Sequence, residues 1–462
     1  MNRSSAGTSP GSRRDFLRGT LQAAAAAGFG FPAIVPGSAL GLSGTVAPSN
    51  RIALGIIGTG NQGFNDINAF LRDDRVRVIA VCDVNRESPG YWEGKIGGRE
   101  PARRLVEAHY AQQRRSGHYR GCDACVDYRE ILGRDDIDVV EVCTPDHWHA
   151  IPVLAACQAK KDIYCQKPLS LTVAEGRAMS YAVSKSGVVF QTGSQQRSDW
   201  RFRRACELVR NGRIGELKRA RVGLPAGRID YTKAGVSKTP QPVPKGFEYD
   251  FWLGPAPDAP YAPARCHINF RWIYDYSGGQ VTDWGGHHPD CAQWGMGTEL
   301  TGPIAIRNAK GTFPPDPLWN TATEYSFEAV YENGVTMLIS DKNPMGVTFE
   351  GTEGRIYVDR GKLEAEPKSL LDSKIGPGEI HLYASDNHFQ NFIDCVLSRQ
   401  PTAAPVEVAH RSITICHLGN IAMRLGREHL RWDPRTEQIV GDDEAARMLS
   451  RPYRAPWCLP VV

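Results

Sequence analysis

Arg51-Ile52-Ala53-Leu54-Gly55-Ile56-Ile57-Gly58-Thr59-Gly60-Asn61-Gln62-Gly63 opens the part of the chain that reads as folded. Its first half, Ile52–Ile57, is a short apolar run of the kind a buried parallel strand requires. Its second half fits G-x-G-x-x-G. In that pattern Gly58 allows a tight turn and Gly60 lets the backbone approach a pyrophosphate. Gly63 lets the next helix pack close to the strand, with its N-terminus facing the phosphates. A second apolar strand, Val76–Cys82, ends in Asp83, 20 residues after Gly63. A carboxylate there binds adenosine ribose hydroxyls. The turn alone is a weak signal. Flanked by both strands and the acid, it points to dinucleotide binding. Asp83 would repel a 2′-phosphate, which favours NAD(H) over NADP(H), although Arg86 stands three residues on.

Outward from this element, strand and helix signals alternate from 51 to 168. A polar segment over 85–123 reads as an insertion with one helix near 100–115. A third strand at 137–143 is closed by Thr144-Pro145, a helix follows over 147–159, and Asp162–Cys165 is a fourth strand. Such a succession predicts a doubly wound parallel sheet, an α/β fold of Rossmann type. After Pro168 the pattern changes. Helices at 172–185 and Trp200–Arg210 flank a strand at 188–191. Strand patterns then dominate at 218–222, 324–331, 335–339, 347–350 and 355–358. Asn333-Gly334 is a hairpin signal between two of them. The second domain is therefore expected to be α+β, with a large, mostly antiparallel open sheet. Segment 225–265 is rich in proline and reads as a surface loop, and helices near 387–398 and 407–426 close the core. The domain plan is 1–49 as leader and linker, 50–170 as the dinucleotide domain, 171–440 as the second domain and 441–462 as a tail.

The chain has 462 residues, a formal net charge of +4 and 23% charged residues, which is ordinary for a soluble protein. Its arginine pairs read as solvated helix faces rather than a nucleic-acid patch. No run after residue 50 reaches membrane-spanning length. Ser12-Arg13-Arg14-Asp15-Phe16-Leu17 precedes an alanine-rich stretch over 21–35 and looks like a twin-arginine (Tat) export signal. The protein is therefore expected in the periplasm or otherwise outside the cytoplasm, anchored if the signal stays uncleaved. That route carries folded proteins, so a tightly held cofactor is expected. Of the twelve cysteines, Cys82, Cys143 and Cys165 fall at strand ends and Cys157, Cys395 and Cys416 in helical patterns, as small buried residues do. Cys122-Asp123-Ala124-Cys125 is a single C-x-x-C. No metal site is predicted.

Four groups carry candidate chemistry. Lys167, in Tyr164-Cys165-Gln166-Lys167-Pro168, stands just past a strand, at the carboxyl edge where ligands bind in such sheets. Its ammonium can bond a substrate hydroxyl and steady an alkoxide as hydride leaves. Asp283 and His287, in Gly278-Gly279-Gln280-Val281-Thr282-Asp283-Trp284-Gly285-Gly286-His287-His288-Pro289-Asp290, are four apart. On one helix they would share a face as an oriented general base. Cys143-Thr144-Pro145-Asp146-His147-Trp148-His149 follows the strand beside the cleft. There Thr144 and Pro145 line the dinucleotide and His149 orients the loop. Finally, Arg197, Arg271, Trp272 and Trp284 offer the aromatic faces and guanidinium forks that suit sugar rings.

In this order the motifs resemble those of the Gfo/Idh/MocA oxidoreductases, over roughly residues 50–440. The resemblance implies that Gly58, Gly60, Asn61, Gln62 and Gly63 cradle the pyrophosphate of NAD(H). Asp83 would hold ribose, and Thr144, Pro145, His149 and Gln166 would flank the cofactor. Lys167, Asp283 and His287 would be catalytic. One departure stands out: Gln166 replaces the family's usual glutamate before the lysine. The expected activity is NAD-dependent hydride transfer at a sugar, sugar-derivative or cyclitol hydroxyl. Two alternatives stand beside it. One is a glycosidase that oxidises its sugar transiently with no net redox change. The other is a non-catalytic sugar-binding protein. Expected partners are a small carbohydrate, a second copy of the chain through the open sheet, and the export machinery.

Overall fold

The apolar run at Ile52–Ile57 forms β1, the centre of a six-stranded parallel sheet. With it run β2 (Val76–Cys82), β3 (Asp123–Cys125), β4 (Val139–Val142), β5 (Asp162–Cys165) and β6 (Phe190–Thr192), in the order β3-β2-β1-β4-β5-β6. This computed structural model describes residues 47, 50–227, 229–316 and 318–461. The expected export signal, Arg13 and Arg14 included, lies outside the described residues. Strands β4 and β5 are buried at every position, as central strands covered on both faces must be.

Strand order reverses at β1, which pairs with β2 on one side and β4 on the other. Connections leaving β1 and β4 therefore diverge and open a crevice at the carboxyl edge. Ile57 pairs with both Cys82 and Val142, and Val142 pairs with Cys165. This register delivers Gly58, Asp83, Cys143 and Gln166 to one edge. The helix Val173–Ser186 after β5 starts at a reciprocal cap between Thr172 and Glu175 and stops at Gly187, whose φ is +71°.

The second sheet has nine strands: β7 (Leu217–Gly223), β8 (Ala305–Thr312), β9 (Glu324–Val330), β10 (Thr336–Ser340), β11 (Gly346–Gly351), β12 (Arg355–Asp359), β13 (Lys362–Glu366), β14 (His429–Asp433) and β15 (Gln438–Ile439). Their order is β13-β12-β11-β7-β10-β9-β8-β14-β15. Only the β7–β10 pair is parallel; its other neighbours run antiparallel. Helices Trp200–Arg210, His288–Met296 and Val406–Arg424 pack on one face. Strand β9 alternates between buried and part-exposed positions, as a sheet covered on one face does.

Several elements differ from the reading of the sequence. Strands β8, β13 and β14 carry polar stretches such as Lys-Leu-Glu-Ala-Glu and show no apolar run. Segment 225–265 is no plain surface loop. It contains the helix Tyr249–Leu253, and Phe247, Tyr249, Trp252 and Tyr261 bury themselves in an aromatic cluster. The expected helix at Asp283–His287 is broken. One short helix, Gln280–Asp283, ends there, and His287 caps the next, His288–Met296. Among the described residues no helix is long and apolar enough to cross a membrane, and all twelve cysteines are free.

Candidate active site

At Gly58 the backbone has φ +97°, and a Cβ there would lie 2.5 Å from the Cys143 carbonyl group. A Cβ on Gly63 would lie 2.4 Å from the Gly58 oxygen. Only glycine fits either position, so the turn stays bare and close to the helix Asn61–Phe70. The first bond into that helix runs from Phe64 N–H to the Gly60 carbonyl, at 3.0 Å. This leaves the first-turn N–H groups of Asn61, Gln62 and Gly63 for an anion. The side chains of Asn61 and Gln62 turn inward, to Trp92 N–H (2.9 Å) and Asp66 (2.7 Å). Asp83 accepts from Thr59 N–H (2.7 Å), the Thr59 hydroxyl (3.0 Å) and Asn85 N–H (2.8 Å). Burial pushes its carboxyl up, against these three bonds. A carboxylate has lone pairs for further donors, so the group fits a ribose diol. Glycine turn, helix start and acid together fit a dinucleotide.

From this cradle a cleft with about 1080 Å³ of empty space, part of it open to solvent, runs past Thr144, Pro145 and Gln166 to Lys167 and Arg271. A strap crosses its rim. Arg86 N–H bonds the Gly246 carbonyl (2.8 Å), Glu248 N–H bonds the Val84 carbonyl (3.0 Å), and Glu93 N–H bonds the Tyr231 carbonyl (2.8 Å). Trp92 stacks on Tyr231 at 4.7 Å. The insertion after β2 and the proline-rich segment thus close on each other over the glycine turn.

At the far end Lys167 Nζ donates to Asp283 Oδ1 at 2.8 Å and to the Asp283 carbonyl at 3.2 Å. Arg271 Nε lies 3.3 Å from the same Oδ1. Burial alone would raise the Asp283 carboxyl, but Lys167 and Arg271 hold it well below the ordinary carboxylate range. A Cβ on Gly286 would lie 2.9 Å from Lys167 Cβ, so that glycine makes room for the lysine stem. His287 is 5% exposed and makes no hydrogen bond to Asp283. With the Gln196 amide turned to satisfy its neighbours, its nitrogen donates to His287 Nδ1 (2.5 Å) and its oxygen accepts from Arg360 (3.0 and 3.1 Å). The imidazole then carries its hydrogen on Nε2. Burial, Lys167 and Arg360 keep it neutral, well below the usual histidine range.

Behind the cleft wall, His149 faces the Pro168 carbonyl (2.7 Å) through Nδ1 and the Thr144 carbonyl (2.9 Å) through Nε2. It joins the loops that follow β4 and β5. Burial lowers its pKa to about 4. Gln166 donates to Asp66 (2.5 Å) and accepts from Lys167 N–H (3.3 Å). Asp66 lies against Glu141 on β4, and burial raises both carboxyls. Gln166 is thus the neutral partner of Asp66, which already competes with Glu141 for a proton.

Arg271 stands in the cleft wall, but the other residues expected at substrate are placed differently. Arg197 is 3% exposed, paired with Asp290 (2.5 and 3.0 Å) and Glu299 (2.8 Å), and does not line the cleft. Trp272 is fully buried behind Tyr231, with Nε1 donating to the Ile229 carbonyl at 2.8 Å. Trp284 packs between His287 and Arg360. Reading the sequence missed Tyr231, Gln196 and Arg360, which no motif marks, and it gave no role to Asp146, which stood inside a quoted one.

Residues 203–459 match the profile of the oxidoreductase family, C-terminal alpha/beta domain, and residues 94–194 match that of the oxidoreductase family, NAD-binding Rossmann fold. The chain belongs to this family of Gfo/Idh/MocA oxidoreductases. It is similar to the myo-inositol 2-dehydrogenase of Thermotoga maritima, 30% identical over 35% of this chain and 42% of that protein. It is also similar to the alpha-N-acetylgalactosaminidase of Shewanella oneidensis, 33% identical over 30% and 28%. Both matches span less than half of the relative's length. Among solved structures it shares its fold with the WlbA dehydrogenase from Bordetella pertussis in complex with NADH and UDP-GlcNAcA. The TM-score is 0.58 at 15% identity, covering 83% of this chain and 99% of that one.

Proposed function

We propose that this protein is an NAD(H)-dependent oxidoreductase acting on a hydroxyl or ketone of a sugar, sugar derivative or cyclitol. The observation that carries this is the Lys167–Asp283 pair, 2.8 Å apart, at the end of a cleft that begins in a glycine cradle. When bound, the nicotinamide supplies a hydride acceptor or donor. The chain supplies the rest. Lys167, paired with the Asp283 carboxylate, donates to the reacting oxygen. Arg271 adds a second fixed cation, which matters most as that oxygen gains charge. His287, neutral and hydrogen-bearing on Nε2, serves as a donor rather than the base its spacing from Asp283 suggested. The test is native mass spectrometry for bound dinucleotide, followed by nicotinamide absorbance with inositols, aldoses and their glycosides. Absorbance growing with one substrate class is expected. Neither bound dinucleotide nor any absorbance change would remove the reading.

A second reading, redox-neutral glycoside cleavage, is favoured by the similarity to the Shewanella galactosaminidase. Release of a free sugar with no net change in cofactor absorbance distinguishes it.

We also propose export through the twin-arginine route and pairing of two copies through the open face of the nine-stranded sheet. Arg13 and Arg14 motivate the first. Replacing both with lysine is expected to leave active protein in the cytoplasm, read by fractionation; unchanged export would refute it. Sedimentation of the mature protein as a monomer would refute the second.

A further inference from the structure

Removing hydride from an alcohol carbon requires that the hydroxyl proton go somewhere. The three expected residues are poorly placed to take it. Lys167 Nζ is already engaged as a donor, to the Asp283 carboxylate and carbonyl. Asp283 is the most weakly basic carboxylate of the site, held down by two cations. His287 has its bare nitrogen, Nδ1, occupied by Gln196.

A fourth group stands in the same cleft. Asp146 lines it with Lys167 and Arg271. It is 5% exposed, and its Oδ2 is sealed from solvent with no hydrogen-bond partner. The turn that carries it is rigid. The next two side chains, His147 and Trp148, both bond the Trp252 carbonyl, at 3.0 and 2.8 Å. His149 is held by two further carbonyls. A carboxyl on such a mount keeps its aim.

We propose that Asp146 is the proton-transfer group of this site, accepting the substrate's hydroxyl proton during oxidation and returning it during reduction. In the oxidative direction the O–H bond breaks and the proton passes to Asp146 Oδ1, since Oδ2 is sealed off. The O–H electron pair becomes the second C–O bond as the carbon's hydride leaves, with its own pair, for NAD+. Lys167 and Arg271 hold the oxygen throughout. The inference rests on the oxidoreductase reading above.

The charged groups facing Asp146 are Lys167, after β5, Arg271, in the turn Asn269–Trp272, and Asp283, at the end of its short helix; the Ser277 hydroxyl is also beside it. Burial outweighs the two cations and brings the carboxyl up to about 7, a value suited to passing a proton in either direction near neutrality.

The test compares the wild-type holoenzyme with Asp146→Asn, which keeps shape and hydrogen bonding but does not titrate. Oxidation of a substrate from the inositol and aldose panel is followed from about pH 5 to about pH 9, and NADH affinity is read by fluorescence. In the wild type kcat should rise with pH through a single ionisation near neutrality. In Asp146→Asn that limb should vanish and kcat fall by about 10²–10⁴, with NADH affinity changed less than about threefold. A retained limb, or NADH affinity lost in step with activity, would overturn the proposal, the latter making Asp146 a cofactor-holding residue. If no panel substrate is oxidised, it is the functional reading that fails. Infrared spectra of both proteins still judge Asp146. A protonated-carboxyl band that titrates near neutrality in the wild type and is missing from Asp146→Asn supports it, and its absence from the wild type overturns it.

Discussion

Lys167 and Asp283 hold each other at 2.8 Å, both largely buried. On the proposed function, Lys167→Ala removes the donor to the reacting oxygen and leaves the glycine cradle untouched. Turnover should fall about 10²–10⁴-fold while NADH affinity changes less than about threefold; steady-state kinetics beside fluorescence titration checks both. Gln166 makes a different prediction. Two buried acids, Asp66 and Glu141, already press on its environment. Gln166→Glu adds a third acid and should cost about 3 kcal/mol of stability. The loss should grow with pH, as a proton for each carboxyl becomes harder to keep, and urea midpoints at about pH 5 and about pH 8 would show it. Lys167 and Asp283 were legible in the sequence because each sits in a motif, and Arg271 because it stands beside a tryptophan. Their partnership was not. The spacing of Asp283 and His287 implied one helix, but Gln280–Asp283 ends before His287, which precedes a new helix with Pro289 in its first turn. Arg197 looked like a ligand fork, yet its partners Asp290 and Glu299 are roughly a hundred residues away in sequence. Charge alone does not tell an arginine aimed at substrate from one aimed at a buried acid.

At the scale of elements, the β1-turn-helix unit was readable almost residue by residue, because apolar runs and glycines report strand and turn directly. Its acid gives a prediction. Asp83 lines the cleft beside the glycine turn; if it holds the ribose, Asp83→Ser should weaken NADH binding and narrow the preference over NADPH, measured by competitive titration. Equal or tighter NADPH binding by the unaltered protein would contradict the role. The second sheet was read only in part. Strands β7, β9, β10, β11 and β12 alternate against the helices and were visible. Strands β8, β13 and β14 are polar and lie toward the ends of the sheet, and they take their conformation from neighbours through backbone bonding rather than from side-chain pattern. The aromatic wall at 247–261 was hidden by its prolines, which signal a loop even where the side chains are buried.

Over the whole molecule, acid stability turns on a cross-link between distant segments. Arg177, on the helix Val173–Ser186, bonds Glu407 (2.7 and 2.9 Å) and Glu437 (2.8 and 2.9 Å). Arg411 reaches Glu407 at 2.8 Å. Burial would raise the Glu407 carboxyl, but Arg177, Ser180 and Arg411 bring it down to about 2. A carboxyl lowered in the folded state adds stability above its unfolded pKa of about 4.5, and that contribution is lost as pH falls toward about 2. Asp66 and Glu141 act with the opposite sign. Raised in the folded state, they favour it most at low pH and less as pH rises. Glu407→Gln should therefore flatten the acid limb of the melting temperature while leaving its alkaline side unchanged, which calorimetry across pH would resolve.

The strap over the glycine turn sets a kinetic rule. The Arg86–Gly246, Glu248–Val84 and Glu93–Tyr231 backbone bonds tie it across the rim, and a dinucleotide seated beneath it would leave more slowly the longer they stay closed. Where that departure is slower than turnover, the nucleotide is a fixed part of the catalyst and each hydride taken must be handed on before the next arrives. Two reactants then alternate at one seat, and reciprocal plots of rate against one of them, at several levels of the other, run parallel.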